Sequence, residues 1–175
     1  MRKGRLSIDI WLDAGLTALA TKGPAALAAE PLARSLGTTK GSFYWHFKDV
    51  PDFQTRVIGV WQDSALAQIQ SWSNDDGNAD IRLRHFGRTL LNDPTEPALR
   101  VWAQGDTRVA AVVCDVDAAR LTYLADLLRQ LGLGNHDFAR ALAAALVGLP
   151  QLAPNATDQQ IKTFDTLVDT VLALS

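Results

Sequence analysis

The chain runs to 175 residues with a formal net charge of −2, and 47% of it is hydrophobic against 21% charged. That balance excludes an intrinsically disordered or collagen-like chain and leaves length for one medium domain or two small ones. The single Cys114 rules out an internal disulfide framework and fits a reducing cytosol.

Ala and Leu are abundant and β-branched runs are scarce, which favours helices. Arg, Lys and Asp interrupt residues 1–20, where a secretory signal would be apolar. No run reaches the roughly 18 apolar residues that a membrane-spanning helix needs. The expectation is a cytoplasmic protein with no membrane partner. Charge is unevenly spread, with +3 on residues 1–50 and −5 on the remainder. A basic head facing a polyanion and an acidic body facing elsewhere would produce that split, and so would chance.

Residues 2–5, Arg-Lys-Gly-Arg, read as a flexible basic arm, either a solubilising tail or a phosphate or minor-groove contact. Ser7 is placed to cap a first helix running to about Thr21, with Ile8, Trp11, Leu12, Gly15, Leu16 and Leu19 at helical spacing. Asp9 and Asp13 suit its positive end, and Gly23-Pro24 stops it. A second helix begins near Ala29-Glu30-Pro31, where proline is tolerated in the first turn. It ends at Gly37, the usual residue for a left-handed C-terminal cap. A short third helix follows, with Thr39 as its N-cap and with Phe43 and Phe47 four residues apart on the inward side. Helix, tight glycine-containing turn and short helix make the helix-turn-helix arrangement.

The outward side of the third helix carries the chemistry. Lys40 and Tyr44 share a face there, the first able to neutralise a phosphate or donate to guanine, the second offering a hydroxyl to a phosphate oxygen. Gly41 leaves no Cβ between helix and nucleic acid, and Ser42 and Trp45 complete the exposed surface. Phe43–Phe47 could instead be the buried edge of an all-helical core, but Lys40, Gly41 and Ser42 would be poor choices for it. His46 is better suited to packing or capping than to reading bases.

The run from Pro31 to Lys48, Pro-Leu-Ala-Arg-Ser-Leu-Gly-Thr-Thr-Lys-Gly-Ser-Phe-Tyr-Trp-His-Phe-Lys, resembles the helix-turn-helix signature of the tetracycline-repressor (TetR) family, above all at Gly37, Tyr44, His46 and Phe47. The resemblance covers roughly residues 7–60. It implies an all-helical, dimeric protein in which Thr39, Lys40, Ser42, Tyr44 and Trp45 fall on DNA-touching positions. With their neighbours, the candidate DNA-binding set is Thr38, Thr39, Lys40, Gly41, Ser42, Tyr44, Trp45, His46 and Lys48. The family often carries Lys where this chain has Val50, so one phosphate contact is missing and Lys48 is the nearby substitute.

Asp49 is placed to cap a fourth helix reaching about Trp72, with Phe53, Val57, Val60, Trp61, Leu66 and Ile69 as its apolar stripe. After a polar loop at residues 73–78, a helix over about 79–92 carries Ile81, Leu83, Phe86, Leu90 and Leu91. Pro94 and Pro97 bracket a turn into a helix around residues 99–102, and a long apolar-periodic run from Asp106 to Leu131 breaks at Gly132-Leu133-Gly134. Asn135 caps an Ala/Leu-rich helix whose end Pro150 marks, and Thr157 caps the last helix. The Ala/Leu-rich helix has almost no polar face, so it is either central to the monomer or covered by a second chain. In the family the corresponding helices form a four-helix dimer interface, which here implies a homodimer through about 135–149 and 157–174.

No metal or cofactor is expected: His46, His85 and His136 lie far apart, and no zinc-ligand spacing or phosphate-cradling glycine loop occurs. Cys114, among Val112, Val113 and Val116, reads as a buried inert thiol rather than a redox sensor. Asp115 and Asp117 point to different helical faces and make no acid/base pair, so no enzyme is expected. Trp61, His85, Phe86, Trp102 and Tyr123 could line a pocket for an apolar or aromatic ligand, or be plain core.

The expectation is an all-α chain with a three-helix DNA-binding head at residues 1–48 and a ligand-binding and dimerisation body at 49–175. Its function would be that of a dimeric transcriptional repressor on a pseudo-palindromic duplex site, released by a small-molecule effector. The alternative is a small-molecule-binding helical protein whose head has a weakened or lost grip on DNA.

Overall fold

The computed structural model describes residues 6–174, so the basic arm read at residues 2–5 lies outside it. Among the described residues the chain is all-helical. It has α1 (Ile8–Lys22), a 3-10 turn (Pro24–Ala26), α2 (Ala29–Ser35), α3 (Lys40–Phe43), α4 (Val50–Ser73), α5 (Ala79–Leu91), α6 (Thr95–Ala103), α7 (Thr107–Gln130), α8 (His136–Leu152) and α9 (Thr157–Leu172).

Short polar side chains start four of these helices, and three of the four, Ser7, Asp49 and Asn135, are the caps that the sequence predicts. The Ile10 N–H donates to Ser7 Oγ, Asp52 N–H to Asp49 Oδ1, Asp80 N–H to Asn78 Oδ1 and Asp137 N–H to Asn135 Oδ1. Each bond satisfies an amide that the helix itself leaves without a partner.

The chain packs as two units. One joins the residues up to Ala65 with Pro94–Val113, and the other joins Leu66–Asp93 with the residues from Cys114 onward. By packing, then, α6 and the start of α7 go with the first three helices.

In the first unit, α1 and α2 hold Trp11, Leu19 and Leu32 in a core that Phe43, Phe47, Phe53 and Val57 complete. Phe43 sits at its centre, with ring centroids 5.5 Å from Trp11, 4.9 Å from Phe47 and 5.2 Å from Phe53. The contacts with Trp11 and Phe53 are edge-on, and such pairs add to the area term of aromatic burial.

In the second unit, Leu83 and Phe86 of α5, Leu124, Leu127 and Leu128 of α7, Leu142 of α8 and Phe164 and Val168 of α9 form one cluster. A charged clamp ties α5 to α9: Arg84 donates to Asp80 at 3.0 Å and to Asp169 at 2.6 Å, and Arg88 donates to Asp165 at 2.7 Å.

Several sequence expectations are corrected. Ile81 is 67% exposed because the buried stripe of α5 runs through Leu83, Phe86, Gly87 and Leu91, on the other side. Leu66 is exposed for the same reason: α4 buries Val57, Trp61, Ala65 and Ile69, one position off. Cys114 is exposed rather than buried, because Val109, Val113 and Val116 set the inward side of α7. Pro150 does not end α8, which continues to Leu152. Proline's fixed φ is compatible with a helix, and its missing N–H costs the helix a bond rather than turning the chain. The helix after Pro94 starts at Thr95, with Pro97 inside its first turn. At α9 the cap position is held by Ala156, with Thr157 already helical. Buried Gln160 donates from Nε2 to Ala153 O at 2.7 Å, which ties the first turn of α9 to the end of α8.

Candidate nucleic-acid interface

The turn between α2 and α3 depends on one glycine. Gly37 has φ +61°, where a Cβ is strained. With it there, Thr38 N–H reaches back to Ala33 O at 2.9 Å, and Gly37 N–H reaches Arg34 O at 3.1 Å. This is the Schellman ending, which satisfies the last carbonyls of α2 while reversing the chain into the next element.

α3 is shorter than the sequence suggests. Regular α-helical structure covers only Lys40–Phe43, and the chain continues as turn through His46. The bond from Phe47 N–H to Phe43 O, 3.1 Å, keeps the four-residue register, so Phe43 and Phe47 are both buried. Thr39 holds the N-cap position in extended conformation, but its hydroxyl makes no capping bond.

Anchoring one side presents the other. Thr39, Lys40 and Gly41 are exposed, Tyr44 is 47% exposed and Trp45 74% exposed. Lys40 Nζ lies 5.9 Å from the Tyr44 ring centroid, so cation and phenol form one patch. Inside the protein nothing demands a glycine at 41: an added Cβ would meet only Thr39 Oγ1, at an ordinary 3.7 Å. Ser42 and Thr38 are half-buried at the edge, and Lys48 is exposed beyond it. His46 is half-buried, and its Nε2 is enclosed without a hydrogen-bond partner among the described residues.

The segment is fixed at its far end by the start of α4. Asp49 accepts from Asp52 N–H at 2.8 Å, while Asp52 accepts from Lys48 N–H at 3.0 Å and from Arg56 Nε at 3.1 Å. The Lys48 amide first, and then the Arg56 guanidinium, hold the Asp52 carboxyl below its ordinary value. Arg56 lies over the Phe47 ring, 5.7 Å from its centroid. Sequence reading did not single out Arg56. The spacing of Asp52 and Arg56, four residues apart on one helix, was the available signal. Val50 is half-buried as the first residue of α4.

The aromatic residues read as a ligand pocket separate by unit. Trp61 and Trp102 are buried in the first. In the second, His85, Phe86 and Tyr123 meet around Trp72, whose ring centroid lies 6.1, 5.4 and 5.9 Å from theirs. His85 is exposed and Phe86 and Tyr123 are buried. Burial pushes the Tyr123 hydroxyl up, against a lowering bond from Arg82. Arg82 also donates to Trp72 O at 2.9 Å and lies 5.8 Å from the Tyr123 centroid. Trp72 and Arg82 are the members of this cluster that sequence reading did not include.

These features define a helix-turn-helix head on an all-helical chain. Residues 12–49 match the sequence model of bacterial regulatory proteins, tetR family. No curated relative matches in sequence. Among solved structures, a transcriptional regulator from Rhodococcus sp. Rha1 is similar at TM-score 0.75 and 18% identity, over 97% of this chain and 95% of that one. A TetR transcriptional regulator from Legionella pneumophila is similar at TM-score 0.73 and 16% identity, over 99% and 97%. SmeT, the repressor of the Stenotrophomonas maltophilia multidrug efflux pump SmeDEF, is similar at TM-score 0.65 and 19% identity, over 97% and 90%. Residues 12–49 thus carry the tetR-family sequence pattern, and the chain has the fold of solved TetR-family regulators.

Proposed function

We propose that this protein is a dimeric transcriptional repressor whose head binds a pseudo-palindromic DNA site and is released by a small apolar or aromatic effector. The observation that carries the reading is the exposed face of Lys40, Gly41, Tyr44 and Trp45. It contains a cation, a phenol and a glycine with no internal reason to be one. Lys40, Tyr44 and Lys48 contact phosphates, Thr38, Thr39, Ser42 and Trp45 approach base edges or methyl groups, and Gly41 admits the duplex. His46 acts from behind the face, since its Nε2 is enclosed.

Pairing would be through α8 and α9, which is supported by the exposed apolar Val147, Leu152 and Leu174. A two-fold dimer sets two recognition helices about one DNA turn apart, ~34–36 Å, or somewhat more. The second unit's cluster of His85, Phe86 and Tyr123 is the proposed effector contact. Trp61 and Trp102 belong to the core of the first unit. An effector that favours a form with the heads wrongly spaced would lower DNA affinity. The proposed setting is the cytoplasm, with no catalysis. Among the described residues no helix is long and apolar enough to cross a membrane.

A second reading, a helical small-molecule-binding protein with a weakened head, is favoured by Val50, which removes the family's frequent phosphate-reaching Lys. Mobility-shift titration of Lys40→Ala and Tyr44→Phe on the DNA upstream of this gene tests the assigned face. Both variants are expected to bind more weakly than wild type, and wild-type affinity in both would reject it.

A further inference from the structure

We propose that Arg56, a turn and a half into α4, is a DNA-backbone contact that supplies the cation missing at Val50. The contact presupposes that the head binds DNA. Arg56 is tied directly to the end of the recognition segment, with its guanidinium 5.7 Å over the ring of Phe47 and its Nε 3.1 Å from Asp52 Oδ1. Asp52 in turn accepts from the amide of Lys48, the exposed cation that follows Phe47. Lys48, Asp52, Arg56 and Phe47 are therefore linked by contacts to the segment that presents Lys40 and Tyr44.

The guanidinium is half free. Its side chain is 46% exposed, and among the described residues Nε is the only one of its nitrogens that makes a hydrogen bond. The two terminal amino groups carry four N–H donors in a fixed plane, the geometry that suits two phosphate oxygens. Stacking on Phe47 and the bond to Asp52 already restrict its rotamers, so little more freedom is lost when a phosphate binds. A lysine at position 50 would act as a mobile point charge, whereas Arg56 is held in place beforehand.

Asp52 does not cancel this contact. Its carboxylate accepts from the Lys48 amide just before α4, that of Asp49 accepts from the Asp52 amide in the first turn, and the positive end of the helix offsets part of both charges. If Arg56 served only to pair with Asp52, the pair would be one more exposed helical ion pair, with no effect on salt-dependent DNA binding.

The test is a fluorescence-anisotropy titration of full-length wild type, Arg56→Gln and Arg56→Lys against a labelled duplex of mixed sequence and against the upstream DNA, across a range of salt. Arg56→Gln is expected to weaken binding to both duplexes by the same factor and to flatten the slope of log K against log salt by about 0.9. Arg56→Lys should keep the slope. A wild type that binds with an unaltered slope in Arg56→Gln, whatever its affinity or melting temperature, overturns the Arg56 contact and leaves the DNA-binding reading standing. A wild type that binds neither duplex overturns both.

Discussion

Gly15 of α1 and Phe53 of α4 are in such close approach that a Cβ on residue 15 would lie 2.7 Å from Phe53 Cζ and 2.8 Å from a methyl of Val57. Phe53 is fully buried and in aromatic contact with Phe43 and Phe47. Nothing there can move aside without disturbing the residues that hold the recognition segment. Gly15→Ala is expected to destabilise the protein by about 1–3 kcal/mol. It should also weaken DNA binding although residue 15 touches no DNA. Urea unfolding together with duplex titration checks both, and unchanged stability would show that the crossing is looser than described.

Gly87 of α5 is more tightly enclosed. An added Cβ would lie 2.1 Å from Phe164 Cε1 and 2.4 Å from Cδ1, and Phe164 is fully buried. Gly87→Ala should cost about 3 kcal/mol, at the upper end of ordinary overpacking. Gly87→Ala combined with Phe164→Leu should recover part of that loss, because the ring is what the methyl meets. Additive losses in the double variant, measured by thermal unfolding, would contradict the contact.

The capping group at α4 makes a prediction about acid. The Asp52 carboxyl titrates below its ordinary value in the folded protein, first because Lys48 N–H donates to it and then because Arg56 does. A folded value below the unfolded one means stability that is present above about pH 3.9 and is lost as pH falls through the lower folded value. Asp52→Asn should therefore narrow the gap between neutral and acid stability. Urea midpoints for the two proteins that run parallel from neutral pH to below pH 3, as a rough lower limit, would refute it.

Val147 of α8 is exposed, while Leu142 and Leu146 of the same helix are buried, so its outer face can be altered without touching the core. If that face pairs with a second copy, Val147→Glu would place a charge in the interface and yield monomers that keep wild-type helicity. Sedimentation of both proteins measures this. Dimers of unchanged stability in the variant would move the interface elsewhere.

Local rules were legible in the chain, and long-range ones were not. Ser7, Asn135 and Asp49 were readable as caps, and Gly37 as a left-handed ending, because each acts on amides or carbonyls a few residues away. Phe43 and Phe47 were readable as anchors from their spacing alone. Apolar identity misled at Ile81 and Leu66, where burial follows the face chosen by the neighbouring helices rather than side-chain type. The clamp from Arg84 to Asp169 joins residues 85 positions apart, and no periodicity carries that information. The same holds for the fit of Gly87 against Phe164. At the candidate site, the outward residues followed from the anchored ones. The bracing of the segment by Arg56 required a stacking partner on another element, Phe47, to be visible.

The central claim is that this head grips the DNA backbone through Lys40, Tyr44 and their neighbours. The most direct measurement is the affinity of wild type and Lys40→Ala for the upstream duplex as salt rises from roughly 50 to 200 mM. Wild-type affinity should fall steeply, with a log–log slope of several units, and Lys40→Ala should lose about 0.9 of that slope. Weak wild-type binding with a flat salt response would contradict the claim and favour a head that no longer holds DNA.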